Sequence, residues 1–211
     1  VDVNLPAVTV ITPTWGRHDL LLNRCIPSVA AQTYPKVEHI IVSDGPDPVL
    51  EDKLFPPTSS GGRTQWFLSL AEHEQAPHWG HLARLHALEF ASGEFITYCD
   101  DDDALRLNHC ELLVNALLEN PGAGWARSLM ASHHPGGDIS EIGHGEPSLG
   151  NLGTPMIMHR KEILQHGTWG PASDFEDWEL VNRWLHAGIE YVSVNEFTVD
   201  VYPSLYFGRT G

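Results

Sequence analysis

Apolar, β-branched runs alternating with helical patterns constrain this chain more than any other feature of it. "AVTVIT" (7–12), "VEHIIVSDG" (37–45), "TQWFLSL" (64–70) and "EFITYCD" (94–100) are too short and too apolar for anything but buried strands. Between them, "DLLLNRCIPSVAAQT" (19–33) has helical spacing at Leu21, Cys25, Val29 and Ala30, with a kink or break predicted at Pro27. "HLARLHALEFASG" (81–93) predicts a helix with a glycine stop. Strands that alternate with helices give an α/β fold, a mostly parallel central sheet flanked by helices. Ligands of such open sheets sit just beyond the carboxyl ends of the strands. Polar clusters stand at three of those ends: Thr12 to Arg17, Ser43 to Gly45, and Asp100 to Asp103.

The pattern loosens after residue 103. "NHCELLVNALLENPG" (108–122) predicts a helix opened by a capping box of Asn108 and Glu111. Strand-like 124–132 and 154–160 flank a loop, 133–153, too long for a simple connection and so expected to be mobile or to face a substrate. "SDFEDWELVNRWLHAG" (173–188) predicts a last helix, followed by the strand-like "YVSV" and "TVDVY". No repeat or linker divides residues 1–211, and a single domain is expected.

Charge narrows the functional classes. Asp and Glu number 28 against 12 Lys and Arg, a formal charge of −16 that argues against a nucleic-acid partner. No apolar run reaches the roughly 18 residues of a membrane helix. Cys25, Cys99 and Cys110 form no CxxC pair, so neither a disulfide framework nor a zinc knuckle is expected, and a reducing cytoplasm suits them. Thirteen histidines are scattered without an HxH or HExxH spacing.

Asp100 to Asp103 are four adjacent anions behind a hydrophobic strand, and their mutual repulsion demands a partner. In extended backbone Asp100 and Asp102 share one side, with Asp101 on the other. A hard divalent cation would resolve the repulsion at that pair. The competing reading is a solvated acidic loop, with Asp103 capping a helical turn.

"VTVITPTWGRHDLLLNRCIPSVAAQTYPKVEHIIVSDG", then "ARLHALEFASGEFITYCDDDDAL" and "EDWELVNRWLHAG", together resemble a family-2 glycosyltransferase of the GT-A fold. The resemblance implies a metal-dependent, inverting transfer of sugar from a nucleotide-diphosphate sugar to an acceptor hydroxyl or amine. It implies Mn2+ or Mg2+ as cofactor, a UDP-sugar foremost as donor with GDP- or dTDP-sugars as alternatives, and a small-molecule or glycan acceptor. Residues 1–103 would form the nucleotide-sugar part and 104–211 the acceptor side. Carried over by position, Thr12, Pro13, Thr14 and Arg17 line the nucleotide pocket, with Trp15 nearby. Asp44 meets the base, Arg84 lies near the nucleotide, Asp100 faces the ribose with Asp101 assisting, and Asp102 holds the metal. Asp177 matches the general base, with Asp174, Glu176 and Glu179 as rivals in the same helical turn. The usual ARN-x-G stretch is Ala83-Arg84-Leu85-His86-Ala87 here, and the usual paired aspartates are Ser43-Asp44. A nucleotidyltransferase and a non-catalytic sugar-nucleotide-binding protein are the alternative functions. Trp178 and Trp184 divide between sugar stacking and core packing.

Overall fold

The computed structural model describes residues 5–60, 63–71, 80–170, 173 and 175–202. Strand β1 (Val8–Thr14) leads into a helical segment, α1 (18–30), then β2 (Val37–Ser43), α2 (Pro48–Leu54), β3 (Thr58–Ser60) and β4 (Arg63–Ser69). Helix α3 (His81–Phe90), β5 (Phe95–Tyr98), β6 (Ala104–Leu105), α4 (His109–Glu119), β7 (Trp125–His133) and β8 (Ile139–Ile142) follow. The described chain closes with β9 (Ile157–Arg160), α5 (Glu176–His186) and β10 (Tyr191–Val201).

The strands form one ten-stranded sheet in the order β3-β4-β2-β1-β5-β9-β7-β10-β6, with β8 added alongside β7. β4, β2, β1 and β5 run parallel, as the alternation predicted. β9 is antiparallel to both β5 and β7, so β7 and its parallel partner β10 resume the direction of β1. Helix α3 packs on β1 and β2, and α4 packs on β7 and β10. Every residue of β1 and every residue of β5 is buried, so both faces of the sheet are covered at these central strands. Trp184 lies in the core beside Trp125 and His159, with its Nε1 donating to the Gly167 carbonyl at 2.9 Å. Core packing, not sugar stacking, is its role. Among the described residues no helix is long and apolar enough to cross a membrane.

Several local expectations change in the structure. The break predicted at Pro27 is a π-helical turn, Leu21–Cys25, after which α-helical bonding resumes. The wide turn ends two residues before the proline, whose nitrogen has no hydrogen to donate. Asn108 makes no capping bond, and Glu111 instead accepts from the Thr33 hydroxyl at 2.7 Å, so the predicted box does not form. Loop 133–153 contains β8, a short strand of mostly exposed residues that pairs with β7 and lacks the apolar alternation that would have announced it. The last helix starts at Glu176, later than residue 173, and "YVSV" and "TVDVY", the latter without Tyr202, belong to one strand with two register shifts.

Gly93 was expected to stop α3, but the helix ends at Phe90 and the glycine serves a close approach. A Cβ there would lie 2.6 Å from the Thr9 nitrogen and 2.7 Å from its hydroxyl. Gly93→Ala is expected to cost about 1–3 kcal/mol through overpacking at β1, read from the shift in denaturant unfolding midpoint.

Candidate active site

β1, β2 and β5 are parallel neighbours, so their carboxyl ends open at one edge of the sheet. The Asp44 amide donates to the Thr14 carbonyl at 2.9 Å, which ties the end of β2 to the end of β1. The acids after β5 do not continue as a strand. The Asp103 amide donates to the Asp100 carbonyl at 3.0 Å, closing a turn that aims the four carboxyl groups in different directions.

Two arginines answer the repulsion within that turn. Arg17 spans a pair of acids: Nη2 lies 2.6 Å from Asp101 Oδ1 and Nη1 lies 2.6 Å from Asp102 Oδ2. Arg84, only 2% exposed, donates through Nη2 to Asp100 Oδ1 at 2.7 Å and through Nη1 to Glu176. The Trp169 ring lies under this guanidinium, 4.7 Å from centroid to Cζ. Asp101 is fully buried, and its Oδ2 accepts from the Thr14 hydroxyl at 2.7 Å. Burial pushes its carboxyl up to about 7, against the pull of Arg17 and the Thr14 hydrogen bond. Burial also raises Asp102, again opposed by Arg17. Asp103 is buried and raised by burial with Asp100 as the next cause; it precedes β6, so it caps no helix.

The remaining predicted positions divide into rim and interior. Thr14 reaches the acids, whereas Thr12 turns inward, its fully buried hydroxyl 2.9 Å from His39 Nε2 and 3.4 Å from Cys25 Sγ. Pro13 is buried against Gly80, where a Cβ would sit 2.6 Å from the proline Cβ and φ is +84°. That contact seats the start of α3, the helix that carries Arg84. Trp15 stands exposed at the same turn. Arg84 is interior as well: its guanidinium joins Asp100 to Glu176, so its link to a nucleotide would run through the acids it holds.

Asp177 arrives from the far half of the chain on the first turn of α5. Its Oδ1 accepts from the Trp178 amide at 2.6 Å, and burial raises its carboxyl. The Arg84 charge pulls it down and the Asp100 charge pushes it up, so the three groups share one field. Two of its rivals have other employment. Glu176 is buried on Arg84 and pushed up to about 7 by burial. Glu179 accepts from the Ser173 hydroxyl at 2.9 Å, and Asp174 lies outside the described residues. The clamping role of Glu176, the support from Trp169, and Arg24 donating to the Asp102 carbonyl at 2.6 Å were not foreseen. Of the three, only Glu176 carried a sequence signal, as an acid beside Asp177.

A hard cation fits the partly exposed carboxylates of this rim, Asp102 and Asp100, the latter 28% accessible. Asp102 is partly exposed, its side chain 18% accessible, and presents carboxylate oxygen at the edge where the strand ends open. Asp101 does not fit, being enclosed by Thr14 and Arg17. Among the described residues no three His, Cys, Asp or Glu side chains converge on one point. A cation here would thus draw its other oxygens from water and from a bound diphosphate, the habit of Mg2+ and similar ions.

Because Asp101 has a folded value near 7 against 3.8 for an ordinary aspartate, the folded chain holds a proton that the unfolded chain has lost over that interval. Its contribution therefore falls as pH rises from about 4 to about 7. Asp101→Asn cannot ionise, so its stability relative to the parent is expected to improve by roughly 2–4 kcal/mol across that range. Urea unfolding at pH 4.5 and 7.5 measures this.

A family model described as glycosyl transferase family 2 matches residues 9–131. GalNAc(5)-diNAcBac-PP-undecaprenol beta-1,3-glucosyltransferase of Campylobacter jejuni is 31% identical over 101 residues, covering 48% of this chain and 31% of that protein. An uncharacterized glycosyltransferase of Haemophilus influenzae is 27% identical over 118 residues, 56% of this chain and 45% of its own length. The chain thus spans less than half of either curated relative. Among solved structures, S. aureus TarS 1-349 in complex with UDP-GlcNAc has a TM-score of 0.70 at 19% identity, over 96% of this chain and 60% of that one. The mannosyltransferase PcManGT from Pyrobaculum calidifontis, in complex with GDP-Man and Mn2+, has a TM-score of 0.66 at 16% identity, over 98% and 58%.

Proposed function

The chain belongs to glycosyl transferase family 2 and has the GT-A fold, and from that premise we propose that it transfers a sugar, with inversion, from a nucleotide-diphosphate sugar to an acceptor hydroxyl or amine. One observation carries the reading: Arg84 joins Asp100, at the end of β5, to Glu176, the immediate neighbour of Asp177. An acidic strand end and a separate carboxylate are thereby brought to one site from positions far apart in sequence. Inverting transfer needs that pairing, because the leaving group and the acceptor occupy opposite faces of the sugar carbon.

The donor's nucleotide belongs at the ends of β1 and β2, beside Thr14, Arg17 and Asp44, with Asp100 facing its ribose side and the enclosed Asp101 assisting only by holding Thr14 and Arg17 in place. A UDP-sugar is the foremost donor, with GDP- and dTDP-sugars as the alternatives. Asp102 would hold Mn2+ or Mg2+, and such an ion offsets the negative charge that builds on the departing diphosphate. Asp177 takes the proton of the acceptor as its oxygen or nitrogen attacks the anomeric carbon. The carbon–oxygen bond to phosphate breaks in line, its electron pair leaves on the diphosphate, and the new bond forms on the opposite face. A half-buried carboxyl with a raised pKa is a better proton acceptor than a solvated one, which suits Asp177 to this role.

Asp177→Asn is expected to reduce transfer by about 10²-fold or more, with nucleoside-diphosphate affinity within about threefold of the parent. Calorimetry with UDP, GDP and dTDP, each with and without Mn2+, reads the affinity and identifies the base. Product analysis reads the transfer and the anomer. Full transfer by the variant would remove Asp177 as base. Nucleotidyl transfer, or donor binding without any product, would replace the proposal with one of its two rivals.

A further inference from the structure

Arg17 and Arg84 hold the same acidic turn in different ways. Arg84 is enclosed, with one end on Asp100 and the other on Glu176. Arg17 sits at the rim with 30% of its side chain accessible. Its two terminal nitrogens have unlike partners: Nη2 meets Asp101, which is fully enclosed, and Nη1 meets Asp102, which is not. The Asp102 backbone is separately fixed, since its carbonyl accepts from Arg24 at 2.6 Å. The Asp102 carboxylate can therefore exchange partners while the turn stays in place.

The carboxylate expected to hold a divalent ion is thus already engaged by a guanidinium. Nη1 occupies Oδ2 of Asp102, and two cations at contact distance on one carboxylate repel each other, so an ion binding there by itself is opposed by the guanidinium. N–H groups separated from Asp102 would then need a new acceptor of comparable charge. A nucleoside diphosphate changes the balance. Its oxygens match the fork of a guanidinium and bring the negative charge that Nη1 gives up. Nη2 can remain on Asp101 throughout, so the buried acid keeps its counter-charge.

We propose that Arg17 is an interlock between cation and donor: it competes with the divalent ion for Asp102 and yields that carboxylate when a diphosphate receives its Nη1. The inference rests on the nucleotide-sugar reading given above. It makes cation and diphosphate bind as a cooperative pair, each tightening the other by the same factor. It also assigns Arg17 a role distinct from simple phosphate attraction. Loss of a mere phosphate contact would weaken diphosphate binding and leave binding of the bare ion unchanged. Loss of the interlock strengthens binding of the bare ion.

The test is Mn2+ binding to the full chain, followed by the electron paramagnetic resonance signal of free Mn2+, alone and with saturating UDP or GDP. For the parent, Mn2+ alone is expected to bind weakly and the cognate diphosphate to tighten it by about a hundredfold. For Arg17→Gln, Mn2+ alone is expected to bind about tenfold more tightly than to the parent, and the enhancement by diphosphate to shrink by a similar factor. Arg17→Lys, whose ammonium cannot span two carboxylates, keeps the charge and is expected to fall between them, which serves if the Gln variant fails to fold. Cooperative thermal unfolding establishes that each variant is intact. A folded variant with unchanged or weaker affinity for Mn2+ alone overturns the interlock, while cooperative metal–diphosphate binding by the parent would still support the functional reading. A parent that binds no diphosphate with any base or ion overturns that reading, and the interlock with it.

Discussion

Two guanidinium groups, reaching the turn after β5 from separate elements, make the acidic site physically possible. Four neighbouring carboxyl groups, two of them buried, would otherwise favour unfolding or full protonation. Arg17 reaches them from the end of β1 and Arg84 from α3, so two separate elements are committed to one turn. Seating Arg84 requires the first residues of α3 to press against Pro13, which Gly80 allows. Trp169 supports the guanidinium from another side, and Glu176 follows it into the interior. The docking of α5, and with it the placement of Asp177, descends from this charge arrangement as much as from the apolar contacts of Leu180, Val181 and Trp184.

The same arrangement joins the two halves of the proposed chemistry. Asp100 and Asp177 feel one another and both feel Arg84. A change in charge at the donor end therefore alters the basicity of the carboxyl at the acceptor end, with no movement of backbone required. That coupling suits a reaction in which negative charge grows on the leaving diphosphate while a proton is being accepted elsewhere.

Much of the framework could be read from the chain itself. The alternation of apolar strands with helices led to the parallel centre of the sheet, and the three polar clusters mark the edge where the candidate site lies. What stayed hidden was who holds whom. Spacing along a strand says which way a side chain points but not which element lies opposite it. Arg17 is 85 residues from Asp102, and Arg84 is 92 from Glu176. Thr12 and Thr14 are alike in a strand buried along its whole length, so nothing in the pattern separated the one bonded to His39 from the one bonded to Asp101. The capping box at Asn108 failed for a similar reason: a tertiary partner, Thr33, took the glutamate that local geometry wanted. The strand β8 escaped because "ISEI" lies mostly exposed at the sheet's margin and has no buried face to write a periodic signature.

The antiparallel insertion of β9 between β5 and β7 has a consequence for how such a chain can diversify. β7 runs with β5 and finishes at the site's edge; β9 runs against both and starts at that edge. The stretch between them leaves and returns on one side of the sheet, so neither strand's register constrains its length. Lengthening it adds a closure entropy that rises only with the logarithm of the number of residues. The fold thus carries a cassette position beside its acidic rim, where a recognition element can be exchanged while the charge lattice of Arg17, Arg84 and the aspartates stays untouched.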